Sequence, residues 1–357
     1  MKNATIVLAI LILSMIPSVA ATAQQTPTQP TAPESEETQS SPKEPSPELE
    51  RPSASGEPTE VKVGIYVIDV DLVNSAAQNF SASVYYEARW NSPILRHKGP
   101  GPMIRRTTGI WTPRLTIVNQ QRAWTSFPAA VEISPDGDVI LRQKIWGWFS
   151  EPMDLRDFPL DRQTLNVHII AVGLLESEID LTPLVMEHGR GSGIAKRFSL
   201  PDFNVVSWRA RPQPYIPYEG QVGVAGFLME IDVQRRTSYY FWKIIVPLCL
   251  IVIMSWIPRW IDPEQIGVNI GIATTSFLTL VAYLFAVAHL LPRVSYFTRL
   301  DEFILLSTLM VFISLLQTAA TTTLIPRKTP LMARVDRWSR IVYPVMLLAV
   351  LGISFGL

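Results

Sequence analysis

From Tyr240 to Leu357 the chain is dominated by four long apolar runs, and these constrain it more than any other feature. Each is near the ~20 residues that an α-helix needs to cross a bilayer. Inside a bilayer no water satisfies backbone N–H and C=O groups, so a chain of this kind crosses as helices. The runs predict four membrane helices, at about 240–257, 266–291, 300–325 and 338–357, within a membrane domain spanning 237–357. Over all 357 residues the chain is 48% hydrophobic and 17% charged, and most of its charge lies before Tyr240. Pro247, inside the first run, is tolerable where a neighbouring helix can satisfy the carbonyl it frees.

Residues 1–23 have the pattern of a secretory leader: Lys2, an apolar stretch from Ile6 to Ile16 that is too short to span, and the small residues Ala21-Thr22-Ala23. The alternative, an uncleaved anchor, suits the short stretch less well. Residues 24–60, rich in Pro, Ser, Thr, Gln and Glu, bury too little to fold and read as a disordered linker. If the region after residue 60 is exported, the connection between the third and fourth helices is cytoplasmic. It carries Arg327, Lys328, Arg334, Arg337 and Arg340 against the single acid Asp336, as expected for an inward-facing loop.

Residues 61–236 change to short β-branched and aromatic runs separated by turn signals, the pattern of an antiparallel, immunoglobulin-like β-sandwich. Val61 to Leu72, Phe80 to Trp90, Thr164 to Ile170, Phe203 to Ala210 and Gly226 to Val233 alternate in polarity. Ser134-Pro-Asp-Gly-Asp138, between Ala130 to Ile133 and Val139 to Lys144, reads as a hairpin turn. The single cysteine, Cys249, falls in a membrane run, so no disulfide staples this domain.

The second apolar run is the functional signal. Thr274, Thr275, Ser276 and Thr279 have no use on a helix that faces only lipid. At spacings of four and three, Gly267, Gly271, Thr275, Leu278, Ala282, Phe285 and His289 fall on one stripe, with small and hydroxyl side chains at its cytoplasmic half and bulky ones beyond. Several copies about an axis make a pore, with Leu278 as a ring that gates by dewetting. The competing reading is that small residues merely allow close helix packing.

Formal net charge is zero and there is no nucleic-acid motif, so no nucleic-acid partner is expected. His97, His168, His188 and His289 lack metal-ligand spacing, and neither a nucleophile motif nor a phosphate loop is present. The chain is therefore expected to be no enzyme and to need no metal or cofactor. His289, near the outer end of the pore helix, is a residue type that takes up protons near neutrality and is a candidate proton sensor. A second class of function, a non-conducting sensor of small solutes, has little support from the short cytoplasmic connection.

Trp111-Thr-Pro with Asn119, Met153-Asp-Leu-Arg-Asp-Phe158-Pro159-Leu-Asp161-Arg-Gln163-Thr, Arg235-Arg-Thr-Ser-Tyr-Tyr, Ser255-Trp256, Thr274-Thr275-Ser-Phe-Leu278-Thr-Leu and Leu291-Pro292-Arg-Val-Ser-Tyr296 together resemble motifs of the pentameric ligand-gated ion channels, the Cys-loop receptors. The resemblance runs from about Val61 to the C-terminus. It implies a homopentamer that binds a small-molecule or proton agonist between sandwiches and lines its pore with the second helix. The two disulfide positions of animal receptors fall on Glu151 and Leu165, and the connection from Pro326 to Arg340 is short, which resembles the bacterial members and implies a bacterial inner membrane.

The same resemblance assigns roles to individual residues. Arg235 and Asp161 form a coupling pair, and Phe158 and Pro159 press on the connection from Pro292 to Tyr296. Tyr85 is an interface aromatic, Tyr215 and Tyr218 lie in a capping loop, and Trp146 and Trp148 are further candidates for agonist contact. Val118 and Val172 stand where the family carries two more aromatics, so a complete cage for a quaternary ammonium is absent. Strand packing is the alternative for these tyrosines. At the cytoplasmic mouth Gly267-Val268-Asn269 matches neither the cation nor the anion pattern of the family. The nearby acids Asp262 and Glu264, with Asn269, point to monovalent cations, and anions remain the alternative.

Overall fold

The computed structural model describes residues 47–53, 56–186, 189–262, 264–324 and 330–356. The leader, the first part of the expected linker, His188 and residues 325–329 lie outside the described residues.

The strands are β1 (Thr59–Asn74), β2 (Asn79–Asn91), β3 (Met103–Arg106), β4 (Leu115–Ile117), β5 (Gln120–Thr125), β6 (Ala130–Ile133), β7 (Asp138–Ser150), β8 (Arg162–Leu175), β9 (Ile179–Pro183), β10 (Val185–Met186), β11 (Gly189–Arg190), β12 (Gly193–Ile194), β13 (Phe203–Pro212) and β14 (Val224–Arg235). One sheet runs β12-β1-β2-β7-β6-β3, with β5 on β7 and β9 on β1; the other runs β13-β14-β8-β4. We call the first the inner sheet and the second the outer sheet. The period of two along each strand sends Val61, Val63, Ile65 and Val67 of β1 into the same fully buried core as Leu165, Val167 and Ile169 of β8 and Met229, Ile231 and Val233 of β14. The β6–β7 hairpin closes where expected: Gly137 adopts φ +84°, a conformation easy only for glycine, and the Ser134 hydroxyl accepts the Asp138 amide at 3.0 Å.

The linker ends earlier than its composition suggests. Pro47–Leu49 forms a 3-10 turn, Glu48 pairs with Arg105 at 3.0 Å, Arg51 donates to the Glu178 carbonyl at 2.6 Å, and β1 starts at Thr59. Charges anchor this stretch, and a test based on apolar content passes over them.

The helices are α1 (Ser238–Arg259), α2 (Ile266–Val287), α3 (Arg299–Leu324) and α4 (Pro330–Phe355). All four contain stretches long and apolar enough to cross a membrane. Two bounds correct the sequence reading. α2 stops at Val287, not 291, because Pro292 disfavours helix just before it, and residues 288–290 turn. α4 begins at Pro330, eight residues before 338, with proline in the first turn where its missing N–H costs nothing.

α2 packs on α1 and α3, and α4 on α3 and α1. Polar bonds tie the bundle together, as is common in lipid. Within α1, residues Phe241–Ile245 form a π-helical turn before Pro247, which has no N–H to give back. The Tyr283 hydroxyl of α2 donates to the Ile244 carbonyl, within that turn, at 2.8 Å and lies 3.5 Å from the carbonyl of Lys243, four residues before Pro247. Lower down, Ser314 donates to the Ser255 carbonyl at 2.6 Å, and the buried Arg259 donates to the Ser314 carbonyl at 2.8 Å and to the Thr318 hydroxyl at 2.9 Å.

Candidate functional site

The loop between β7 and β8 meets the helices, and its centre is an ion pair. Arg235, the last residue of β14, forks onto Asp161 with Nε–Oδ1 2.7 Å and Nη2–Oδ2 3.0 Å, and the two side chains are 5% and 1% exposed. A buried pair survives only when its remaining donors and acceptors are also met. They are: Arg235 donates to the Ser75 hydroxyl at 2.8 Å, Gln163 donates to Asp161 at 2.8 Å, and the guanidinium lies over the Phe203 and Phe158 rings at 4.3 and 4.9 Å.

Phe158 also packs edge-on against Tyr240 of α1, centroids 4.8 Å apart. The loop is bonded to the connection between α2 and α3. The Leu155 amide donates to the Tyr296 hydroxyl at 2.9 Å, the Arg299 and Leu300 amides donate to the carbonyls of Arg156 and Phe158, and Arg299 pairs with Asp157 at 2.7 Å. Pro292 lines a cavity of about 270 Å³ shared with Phe158, Arg235, Tyr240 and the β1–β2 turn. Pro159, joined to Phe158 by a cis peptide bond, lines a different, largely apolar hollow above α1 and α4.

On α2 the buried residues Asn269, Ala273, Ser276, Leu280 and Val287 face the bundle. Gly267, Gly271, Thr275, Leu278, Ala282 and Phe285 are exposed on the opposite side, Leu278 at 67% and Phe285 at 75%. Two residues depart from their expected places. His289 lies beyond the helix end and lines the junction cavity with Asp202 and Arg235, so it is not on the α2 stripe. Asn269 is 3% exposed and donates to the Asp262 carbonyl at 3.0 Å, tying down the α1–α2 loop; a shift of one or two positions along a helix moves a residue to another face. Asp262 and Glu264 are exposed.

The aromatic candidates divide between the sheets. On the inner sheet the Tyr85 hydroxyl donates to Glu87 at 2.8 Å, and Arg89 and Arg142 reach the same buried carboxylate at 2.6 and 3.1 Å. Burial alone would raise the Glu87 carboxyl, but these three donors outweigh it and hold it below the usual range. Burial, with Glu87 beside it, pushes the Tyr85 phenol up to about 12. Trp146 is 39% exposed, donates to Asp71 at 2.7 Å and stacks on Trp124 at 5.2 Å; Trp148 lies half-buried across from Arg122. Tyr215 belongs to the β13–β14 hairpin of the outer sheet, with its ring edge-on to His168 at 5.5 Å, and Tyr218 is 71% exposed at the tip. Burial lowers the pKa of His168, and its Nε2 lies 2.9 Å from the Gln213 carbonyl.

Two family models cover both halves of this architecture. Residues 46–212 match the neurotransmitter-gated ion-channel ligand binding domain, and residues 244–353 match the neurotransmitter-gated ion-channel transmembrane region. The chain belongs to the neurotransmitter-gated ion-channel family. Among similar proteins are a gamma-aminobutyric acid receptor subunit beta of Caenorhabditis elegans, 24% identical over 283 residues, and a gamma-aminobutyric acid receptor subunit rho-3 of Homo sapiens, 26% identical over 281. Each alignment covers 76% of this chain but only 50% and 59% of those relatives' own lengths.

In this neurotransmitter-gated channel chain, the motif residues Asp161, Arg235, Phe158 and Tyr296 converge on one junction. Sequence reasoning missed two partners there, Ser75 and Arg299, which supply contacts from separate segments; Tyr240, the last residue of the Arg235 motif, had no role assigned to it. Neither Ser75 nor Arg299 carries a local signal, because each is an ordinary polar residue until the chain brings it within reach. Among the described residues there is no cluster of three or more His, Cys, Asp or Glu that could hold a metal.

Proposed function

We propose that five copies of this chain form an agonist-gated ion channel in a bacterial inner membrane, its pore lined by Gly267, Gly271, Thr275, Leu278, Ala282 and Phe285. The observation that carries this is α2 itself: one face is packed on α1 and α3, while the opposite stripe stays exposed and runs from small and hydroxyl side chains to Leu278 and Phe285. A ring of Leu278 is then the hydrophobic gate. Arg235, Asp161, Phe158 and Pro159 pass movement of the sandwich to the α2–α3 connection, at Pro292 and Tyr296.

The agonist site lies between chains, with Tyr85, Trp146 and Trp148 of one inner sheet facing the Tyr215 and Tyr218 hairpin of the next. The names of the similar receptors make gamma-aminobutyric acid the first compound to try, followed by other amino acids, amines and protons. For selectivity, Asp262 and Glu264 are exposed at the cytoplasmic mouth while Arg259 is buried in the bundle, which favours cations; anion passage is the second reading.

Purified protein in liposomes under voltage clamp in asymmetric salt tests both points. Leu278→Ala is expected to conduct without agonist, and the reversal potential gives the charge selectivity. A silent Leu278→Ala channel, present as assembled protein, counts against a pore.

A further inference from the structure

The coupling loop, Glu151 to Asn166, is closed at its base without a covalent link. Glu151 follows β7 and is 8% exposed; Asn166 sits on β8. The Asn166 backbone N–H donates to Oε2 of Glu151 and its side-chain amide donates to Oε1, both at 3.0 Å. Asn119 straddles the same two chain ends, its amide donating to the carbonyls of Ser150 at 3.0 Å and Asn166 at 2.8 Å. A carboxylate that only accepts suits two donors. Asn166 also keeps an oxygen, Oδ1, buried and without a partner. If that amide turns over, its oxygen faces Glu151, and only a protonated acid can then donate to it. The cradle therefore accommodates either protonation state, with one bond of opposite polarity, and the neutral version is the weaker of the two.

From this geometry we propose that Glu151 is a proton-binding site that tightens the base of the coupling loop when ionised and loosens it when protonated. Burial pushes its carboxyl up to about 7, against the pull of Asn166's two bonds.

Among the described residues, the groups packed around it give it no direct ionic partner. The β4–β5 turn offers Asn119, and the β1–β2 turn offers Gln78, whose carbonyl accepts the Glu151 amide at 2.9 Å. β14 places Glu230 across from Asn166, held by Arg209 and Arg211, and Asp232 across from Thr164, bonded to Thr164 and Ser207. His168 lies on β8, its pKa lowered by burial. Within the loop Asp154 pairs with Arg156, Asp157 with Arg299 and Asp161 with Arg235, and Arg162 is exposed.

Proton binding at this carboxyl is linked to folding. The folded value lies above the ordinary 4.5, so between the two the folded protein holds a proton that the unfolded chain has released, and the contribution of Glu151 to stability is full below about 4.5, declines as pH rises and is lost by about 7.

The effect on gating rests on the proposed coupling role of this loop, and two readouts separate the two ideas. Thermal unfolding of the full chain in detergent reports proton binding whether or not the loop gates. Current through the Leu278→Ala channel, which needs no agonist, reports coupling. Between about pH 5.5 and pH 8 the parent's unfolding temperature is expected to fall with rising pH and to level off near pH 7, and its current to change with a midpoint near neutrality; Glu151→Gln, a mimic of the protonated acid, is expected to lose both pH dependences and to conduct at the higher pH as the parent does at the lower. A parent unfolding temperature without that fall, or a fall retained in Glu151→Gln, overturns the proton site; unfolding that changes as expected while the current keeps its pH dependence overturns the gating half alone. If Glu151→Gln does not assemble, Asn166→Ala decides: losing a donor to the carboxylate moves the levelling-off to higher pH, and an unmoved or lowered one overturns the proposal.

Discussion

Arg235 and Asp161 are almost wholly buried and bonded to each other, to Ser75 and to Gln163, whereas Tyr218, Trp124 and Trp146 stand 71%, 56% and 39% exposed with one face open. The first group lies at the junction of sandwich and helices and is completed within a single chain. The second lies on two separate sheets of the chain, and no described contact joins Tyr85 to Tyr215. The contrast separates two kinds of work. In the proposed channel, transmission runs along one polypeptide and can be rigid, while a site formed between neighbours is only half present in each copy. The exposed stripe of α2 belongs with the second kind: in that proposal Leu278 and Phe285 find their partners in the assembly.

Four substitutions probe that contrast. Asp161→Ala leaves a buried guanidinium without its anion and should destabilise the fold by about 3–5 kcal/mol, with loss of assembled protein on size-exclusion chromatography. Adding Arg235→Ala should restore part of that loss, since the stranded charge is removed; no recovery in the double variant breaks the account of a pair completed in one chain. Tyr283→Phe removes one inter-helix bond, to the Ile244 carbonyl in the π turn, and should lower stability by about 1 kcal/mol, read as a lower unfolding temperature in detergent. The smallest effect on folding is expected of Tyr85→Phe. Glu87 keeps Arg89 and Arg142, so unfolding should move by less than about 1 kcal/mol while agonist sensitivity drops severalfold. Equal losses of stability and sensitivity there would make Tyr85 a strand-packing residue and erase the difference between the two regions.

The period of two in Val61 to Leu72 and Gly226 to Val233 made β1 and β14 readable, because a half-buried strand must alternate. The hairpin at Gly137 was readable because its turn chemistry is local. Strands β3, β4, β5, β9 and β12 were missed, being short and held by pairing with segments far along the chain, and β10 and β11 because they are two residues each and pair with each other. Pro330 and the end of α2 at Val287 show the usual weakness at element boundaries, where hydropathy is a poor guide. The stripe on α2 was legible up to Phe285 and failed at His289, because helical periodicity continues on paper after the helix has stopped.

Length, hydropathy and periodicity by themselves determined that the chain has a β domain followed by four bilayer-length helices, one with a graded polar-to-apolar stripe. These properties are set by near neighbours along the chain. The motifs also carried the resemblance that paired Arg235 with Asp161. Only the tertiary structure decided that Asn166 closes the loop on Glu151, that Tyr283 bonds a carbonyl of the π turn, that Arg299 fastens the loop to α3, and that Asn269 turns inward to its own loop. Each of these depends on which distant donor meets which buried acceptor, and desolvation makes that choice after the chain has folded.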